Sequence, residues 1–188
     1  ICQRGYLKKV VEKFGMMNCK ESLVPTETRL VLSNEMSPRK KKELEEMSTV
    51  PYRQAVGSLM FAAVVSRPDI AYAVANVSRF LDKPGKEHWL AVKRILRYVK
   101  GTINFDLLYK ADGHSLLGYT NSDYAGCVDT RKSTSGFIFI KAGAAVSWMS
   151  QRQRIVALST TEAEYVAAAE GAKEAIWLKK LLDLMGDH

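Results

Sequence analysis

The sequence has little cysteine: 3 residues in 188, at positions 2, 19 and 127. Their number is odd, they lie far apart, and no CxxC pair occurs. That excludes a zinc ribbon and a disulfide framework, and it favours a reducing intracellular setting, cytoplasm or nucleus. No apolar run approaches the roughly 18 residues that a membrane span needs. The opening ICQRGYLKKV lacks the pattern of a secretory leader, so no membrane partner is expected. The missing initiator Met points to a piece of a longer chain. Histidine is scarce too, with 3 copies, and His88 has no companion at metal-ligand spacing, so it reads as structural.

What is present describes a folded protein. The apolar share is 47% and the charged share 26%, which is globular composition with room for one ordinary domain or two small ones. The net charge of +8 is unevenly placed. Residues 1–110 hold 20 Lys and Arg against 11 Asp and Glu, whereas residues 111–188 hold 8 against 9. A basic first part beside a near-neutral second part suits phosphate binding next to a site that must hold cations. Solubility alone is the plainer reading of the same numbers.

Hydrophobic period divides the chain the same way. Residues 5–14 carry Tyr6, Leu7, Val10, Val11 and Phe14 at helical spacing. Residues 18–50 lose periodicity and read as an extended connector with one exposed helical turn in the charge run RKKKELEE (39–46), where Arg39–Lys42 is a solvated face or a phosphate contact. Residues 51–66 and 68–81 read as two helices joined through Arg67 as a hairpin. Residues 86–100 form a third, closed by Gly101 as a C-cap. On it Trp89, Val92, Leu96 and Val99 make an apolar stripe, and Lys86, Lys93, Arg97 and Lys100 make a basic one. One-sided positive charge along a helix suits a nucleic-acid backbone, though a solvated face has the same pattern. From residue 104 the period becomes two. Strands are expected at 105–110, 115–124, 134–143, 144–150 and 154–160, then one long helix at 159–185 opened by the Ser159/Glu162 capping box. The fold class is α+β.

Within that last helix the two early glutamates differ. Glu162 holds the cap. Glu164 shares a line with Ala167, Ala168, Gly171 and Ala175, small residues suited to close contact with a sheet, where a carboxylate needs a cation or strong donors. A rim Glu paired with Lys is the bland alternative. On the strand, Tyr119, Asn121 and Asp123 share one face and Gly118, Thr120 and Ser122 the other. Asn121 and Asp123 stand about 6.6 Å apart, too far to share one metal position. Asp123 reads first as a turn-former before Ala125 and Gly126.

At these residues the chain resembles a known family. The segments are VPYRQAVGSLMFAAVVSRPDIAYAVANVSRFLDKPGKEHW, LRYVKGT, GYTNSDYAGC-x-DTRKSTSGF and SW-x-S-x-x-Q-x-x-VALSTTEAEYVA-x-x-x-x-x-KEAIWL. In this order they resemble the C-terminal part of the Pol polyprotein of copia-type LTR retrotransposons. The resemblance implies a reverse-transcriptase tail (thumb and connection) over 1–110 and the first part of a ribonuclease H domain over 111–188. It also implies an RNA–DNA hybrid as substrate, two Mg2+ ions as cofactors and the rest of the polyprotein as partner. Glu164, in TEAEY, matches the family's helix glutamate, which implies a metal-ligand role for it. The strand aspartate of the pattern Y-[ST]-D-[AS]-D-[WY]-AG falls at Asn121, and Asp123 matches its second Asp. The remaining acids would fall beyond His188.

Three function readings follow. The first is a Pol fragment without cleavage activity of its own, since Asn121 is a neutral ligand and Glu164 alone does not hold two Mg2+ ions. The second is a non-catalytic hybrid-binding module using Lys86, Lys93, Arg97 and Lys100. The third is a nuclease completed by another chain. With no following strand to pair with, residues 115–123 would keep an open edge, an invitation to self-association.

Overall fold

The computed structural model describes residues 1–27, 30–110 and 115–186. The chain divides into two compact units, Ile1–Leu107 and Leu108–His188.

The first unit is helical: α1 (Arg4–Lys13), α2 (Lys41–Ser48), α3 (Tyr52–Val65), α4 (Ala71–Ser78) and α5 (Lys86–Gly101). Each helix buries the stripe its spacing dictates. Leu7, Val10 and Val11 of α1 meet Ala55, Val56, Leu59 and Ala62 of α3, Val74 and Val77 of α4, and Val92, Ile95, Leu96 and Val99 of α5 in one core. Tyr52 is buried with its hydroxyl donating to Val77 O at 2.8 Å, and burial pushes its phenol well above the ordinary value.

The α3–α4 hairpin turns through a 3-10 turn, Pro68–Ile70, and Arg67 is its pin. That side chain is 1% exposed. It forks onto Asp69 at 2.7 and 2.9 Å and reaches Thr102 O at 3.2 Å, past the end of α5. Tyr98 donates to the same Asp69, and burial with that carboxylate beside it holds the Tyr98 phenol above its usual range.

Two expectations shift in this unit. Gly101 is not the C-cap, because α5 runs through it to a cap at Thr102, whose Oγ1 donates to Tyr98 O at 2.8 Å. The connector is also more structured than its lost periodicity suggests. A 3-10 turn at Asn34–Met36 and the eight-residue α2 interrupt it. Glu43 starts α2 by accepting the amides of Arg39 and Lys40 at 3.0 and 3.3 Å, which hold its carboxyl below the ordinary value. His88 is structural, as its isolation implied. It is fully buried, stacked on Phe80 at 3.9 Å, and its Nδ1 accepts the Gly85 amide at 2.9 Å, so Nε2 carries the proton toward Ser33 O.

The second unit is a three-stranded antiparallel sheet in the order β1 (Leu117–Asp123), β2 (Thr134–Lys141), β3 (Ala144–Arg152), covered by the helix α6 (Thr160–Leu184). The register sets Asn121 opposite Gly136, and Asp123 opposite Thr134, which in turn faces Arg152. Ala142 and Gly143 join β2 to β3 with φ of 55° and 78°, the primed geometry that matches the twist of a two-residue hairpin.

Two expected strands are absent. Residues 105–110 are extended but bond to the sheet's hairpin only through Lys110 N to Ala142 O at 2.8 Å and Tyr109 Oη to Ala145 O at 2.6 Å. Residues 111–114, between the first two expected strands, lie outside the described residues. Residues 154–160 also form no strand. Ile155 and Val156 have the propensity but no ladder partner, and the backbone there bends into the cap of α6. Helical and antiparallel parts together make an α+β fold. Among the described residues no helix is long and apolar enough to cross a membrane.

Candidate active site

α6 begins on the Ser159 cap that the S-x-x-E spacing predicts, with the return bond displaced by one residue. Ser159 Oγ accepts the amide of Glu162 at 3.1 Å, and Glu162 Oε2 accepts the amide of Leu158 at 2.6 Å. Glu164 is exposed, and its Oε1 accepts the backbone N–H of Ser122 at 3.3 Å. In an antiparallel ladder a residue sends its N–H and C=O the same way. Ser122, and with it Gly118 and Thr120, therefore turns those groups to the side of β1 that no strand covers among the described residues.

The sheet-facing line of α6 keeps Ala167 and Gly171 of the expected small residues but is turned away from Ala168. The buried residues are Ala163, Ala167, Gly171 and Leu178, while Ala168 is exposed. Glu164 stands at the flank of this line. Contact decides the difference: a Cβ at Gly171 would collide with the Thr120 methyl, so the helix seats where its backbone is barest. Farther along, Glu174 accepts the Ser147 hydroxyl at 2.6 Å.

Since Thr120 faces α6, alternation sends Asn121 and Asp123 to the opposite face of the sheet. The peptide joining Asn121 to Ser122 is the point Glu164 touches. Among the described residues no hydrogen bond joins the Asn121 amide to that carboxylate. The Asp123 carboxylate folds over Gly126, where a side chain would collide with it, and this is the geometry of a turn-former. The donors near this point are one carboxylate already holding an amide, one neutral amide on the other face, and one carboxylate laid on a glycine. Mg2+ demands near-octahedral oxygen ligands and gives up its waters reluctantly. This set does not fit a pair of such ions, and no group of three or more His, Cys, Asp or Glu lies together among the described residues.

Two residues here escaped sequence reasoning. Gln153 is 5% exposed, and its Nε2 donates both to Ser135 Oγ and to Ala163 O, each at 2.9 Å. It ties the end of β3 to β2 and to the first turn of α6, so it fixes where Glu164 meets β1. Nothing in its polar surroundings QRQR marked it as interior. Cys127 is 2% exposed at the heart of the 124–133 loop. Its Sγ accepts Thr130 Oγ1 at 3.0 Å and lies 3.8 Å from an Arg152 nitrogen.

The basic stripe of α5 is mostly engaged within its own unit. Arg97 Nε donates to Lys20 O at 2.6 Å, and Lys100 Nζ to Cys19 O at 2.7 Å. Lys93 lies over the Trp89 ring, 5.6 Å from its centre. Lys86 is exposed. The neighbouring Arg94 joins the same task, pairing with Glu27 at 2.7 Å. Arg94, Arg97 and Lys100 strap the 19–27 segment along α5.

No protein-family model matches the chain, and no solved structure does. Curated proteins are similar to it. It is 51% identical over 188 residues to the retrovirus-related Pol polyprotein from transposon TNT 1-94 of Nicotiana tabacum, a match that takes in all of this chain and 14% of that protein. It is 48% identical over 133 residues to the secreted RxLR effector protein 161 of Plasmopara viticola, covering 70% of this chain and 94% of that one. It is also 35% identical over 178 residues to the uncharacterized mitochondrial protein AtMg00810 of Arabidopsis thaliana, covering 94% and 71%.

Proposed function

Because this chain belongs to the Pol polyproteins of copia-type retrotransposons, we propose that it joins a reverse-transcriptase tail to the first part of a ribonuclease H-like unit and that it cleaves no RNA by itself. The observation that carries this reading is the meeting of Glu164 with β1 at Ser122. There the helix glutamate of the family's site arrives beside the position where the family has its strand aspartate, and this chain has Asn121. Glu164 reaches the β1 backbone next to Asn121, and the groups gathered there carry too little negative charge to hold two divalent ions. Asn121 presents a neutral oxygen from the opposite face, and Asp123 serves the turn.

The test is a cleavage assay on an RNA–DNA hybrid with Mg2+ or Mn2+. The 188-residue chain is expected to give no protein-dependent cleavage, and robust cleavage overturns the reading. A longer Pol segment carrying Asn121→Asp is expected to cleave, which separates a lost ligand from a lost fold. The rest of the polyprotein is the natural partner, and the uncovered side of β1 is where an added strand would pair.

A further inference from the structure

We propose that the second unit holds its own phosphodiester-binding surface, formed by Arg131, Lys132, Arg152 and Arg154. This goes beyond the reading above, which names no surface for nucleic-acid contact, and it rests on that reading for the nature of the ligand. The second part of the chain is close to neutral overall, but half of the 8 basic residues in 111–188 are these four. The fold gathers them at one end of the sheet. Arg131 N donates to Cys127 O at 2.6 Å, Cys127 N to Lys132 O at 3.2 Å, and Gln153 N to Ser133 O at 2.8 Å. Lys132 Nζ reaches Arg154 O at 2.6 Å, and Arg152 approaches the Cys127 sulfur. Arg131, Arg152 and Arg154 are exposed. Among the described residues neither Arg131 nor Arg154 makes an ion pair.

Position and backbone point the same way. Arg152 lies in the row of Thr134 and Asp123, so by alternation it shares the sheet face of Asn121. The loop that presents Arg131 is held tightly and under strain. Arg131 and Ala125 have φ of 54° and 51°, a left-handed conformation that residues with a side chain adopt at a cost. Cys127 and Ser133 are buried beneath it, and Ser133 Oγ accepts the Ala125 amide at 3.0 Å. A strained backbone locked from below fixes where the Arg131 side chain leaves the surface. Over residues 123–133 and 152–154, four cations outnumber two acids, Asp123 and Asp129. Three of the four are arginines, whose planar forks match phosphate oxygens better than lysine does.

The experiment measures binding of the full chain to an RNA–DNA hybrid and to duplex DNA by fluorescence anisotropy across a salt series, with polyglutamate as competitor. Arg131→Glu/Arg154→Glu is expected to weaken both complexes about tenfold or more at low salt and to lower the salt slope by about 2. Lys179→Glu/Lys180→Glu, exposed on α6, is expected to change neither by more than about twofold. Arg131→Gln/Arg154→Gln, milder and with an unchanged melting curve, is expected to fall between. Preference for hybrid over duplex ties the surface to the family's substrate, and equal binding supports a general backbone contact. Unchanged affinity and slope in the Glu variant overturn the proposal, as does wild-type chain that fails to bind at low salt or loses nucleic acid to polyglutamate. Failure of the extended Asn121→Asp protein to cleave, with the arginine dependence intact, overturns the nuclease reading and leaves this surface standing.

Discussion

Gly171 shows how one residue decides where a helix sits. Its φ is ordinary, so the barrier to a side chain is contact with Thr120 alone. Gly171→Ala is expected to destabilise the second unit by about 1–3 kcal/mol, measured by urea titration. Thr120→Ser in the same chain should return most of that loss, because the two changes act on one contact. Arg67 tests the other unit. Arg67→Ala is expected to cost about 3 kcal/mol, the lower end for breaking a buried pair, because Asp69 is 30% exposed and keeps some water. At this scale the sequence was readable where a residue obeys a local rule. Glu162 and Asp123 do so, the one through S-x-x-E and the other through the glycine that follows it at Gly126. Gln153 was not readable, since its burial comes from α6 folding back over the sheet, which no window around position 153 contains.

Elements were legible in proportion to how much of their stability is local. The helical stripes of α1, α3 and α5 are periodic in sequence and buried in space. The expected strands at 105–110 and 154–160 had propensity but no partner, and strands exist only by pairing. The charge run at 39–46 became α2 through the reach of Glu43 to two backbone amides. That contact sets a pH dependence. The Glu43 carboxyl titrates lower in the folded chain than in the unfolded one, so its contribution is present above the ordinary carboxylate range and is lost as pH falls through its depressed value. Amide exchange at Arg39 and Lys40, corrected for intrinsic rates, should accelerate in that acid window, and in Glu43→Ala it should be fast at every pH. β1 offers a parallel check. Ser122 is expected to exchange more slowly than Gly118 and Thr120, whose amides also turn outward, and Glu164→Ala should erase the difference.

For the molecule as a whole, the two units differ in what they bury. The core of the first contains leucine, isoleucine, valine and tyrosine, whereas the buried residues of the second are largely alanines with Phe139 and Leu178. Burial scales with apolar area, so the second unit should unfold first. Trp89 reports on the first unit, and Trp148 and Trp177 on the second. Single-tryptophan versions in a urea titration should show the second pair moving at lower denaturant, and coincident transitions would contradict this. The charge asymmetry of the sequence includes the α5 stripe, where Arg97 and Lys100 also hold a neighbouring segment. Charge counts see sign and number, not which cations the backbone has already engaged.

The sealed thiol of Cys127 makes this protein its own timekeeper. Cys2 is exposed and Cys127 is buried, so an alkylating reagent should modify the first at once and the second only during a breath of the loop above it. The slow adduct, followed by intact-mass spectrometry, would count how often the arginine-bearing turn comes unlatched, and saturating nucleic acid should stop that clock.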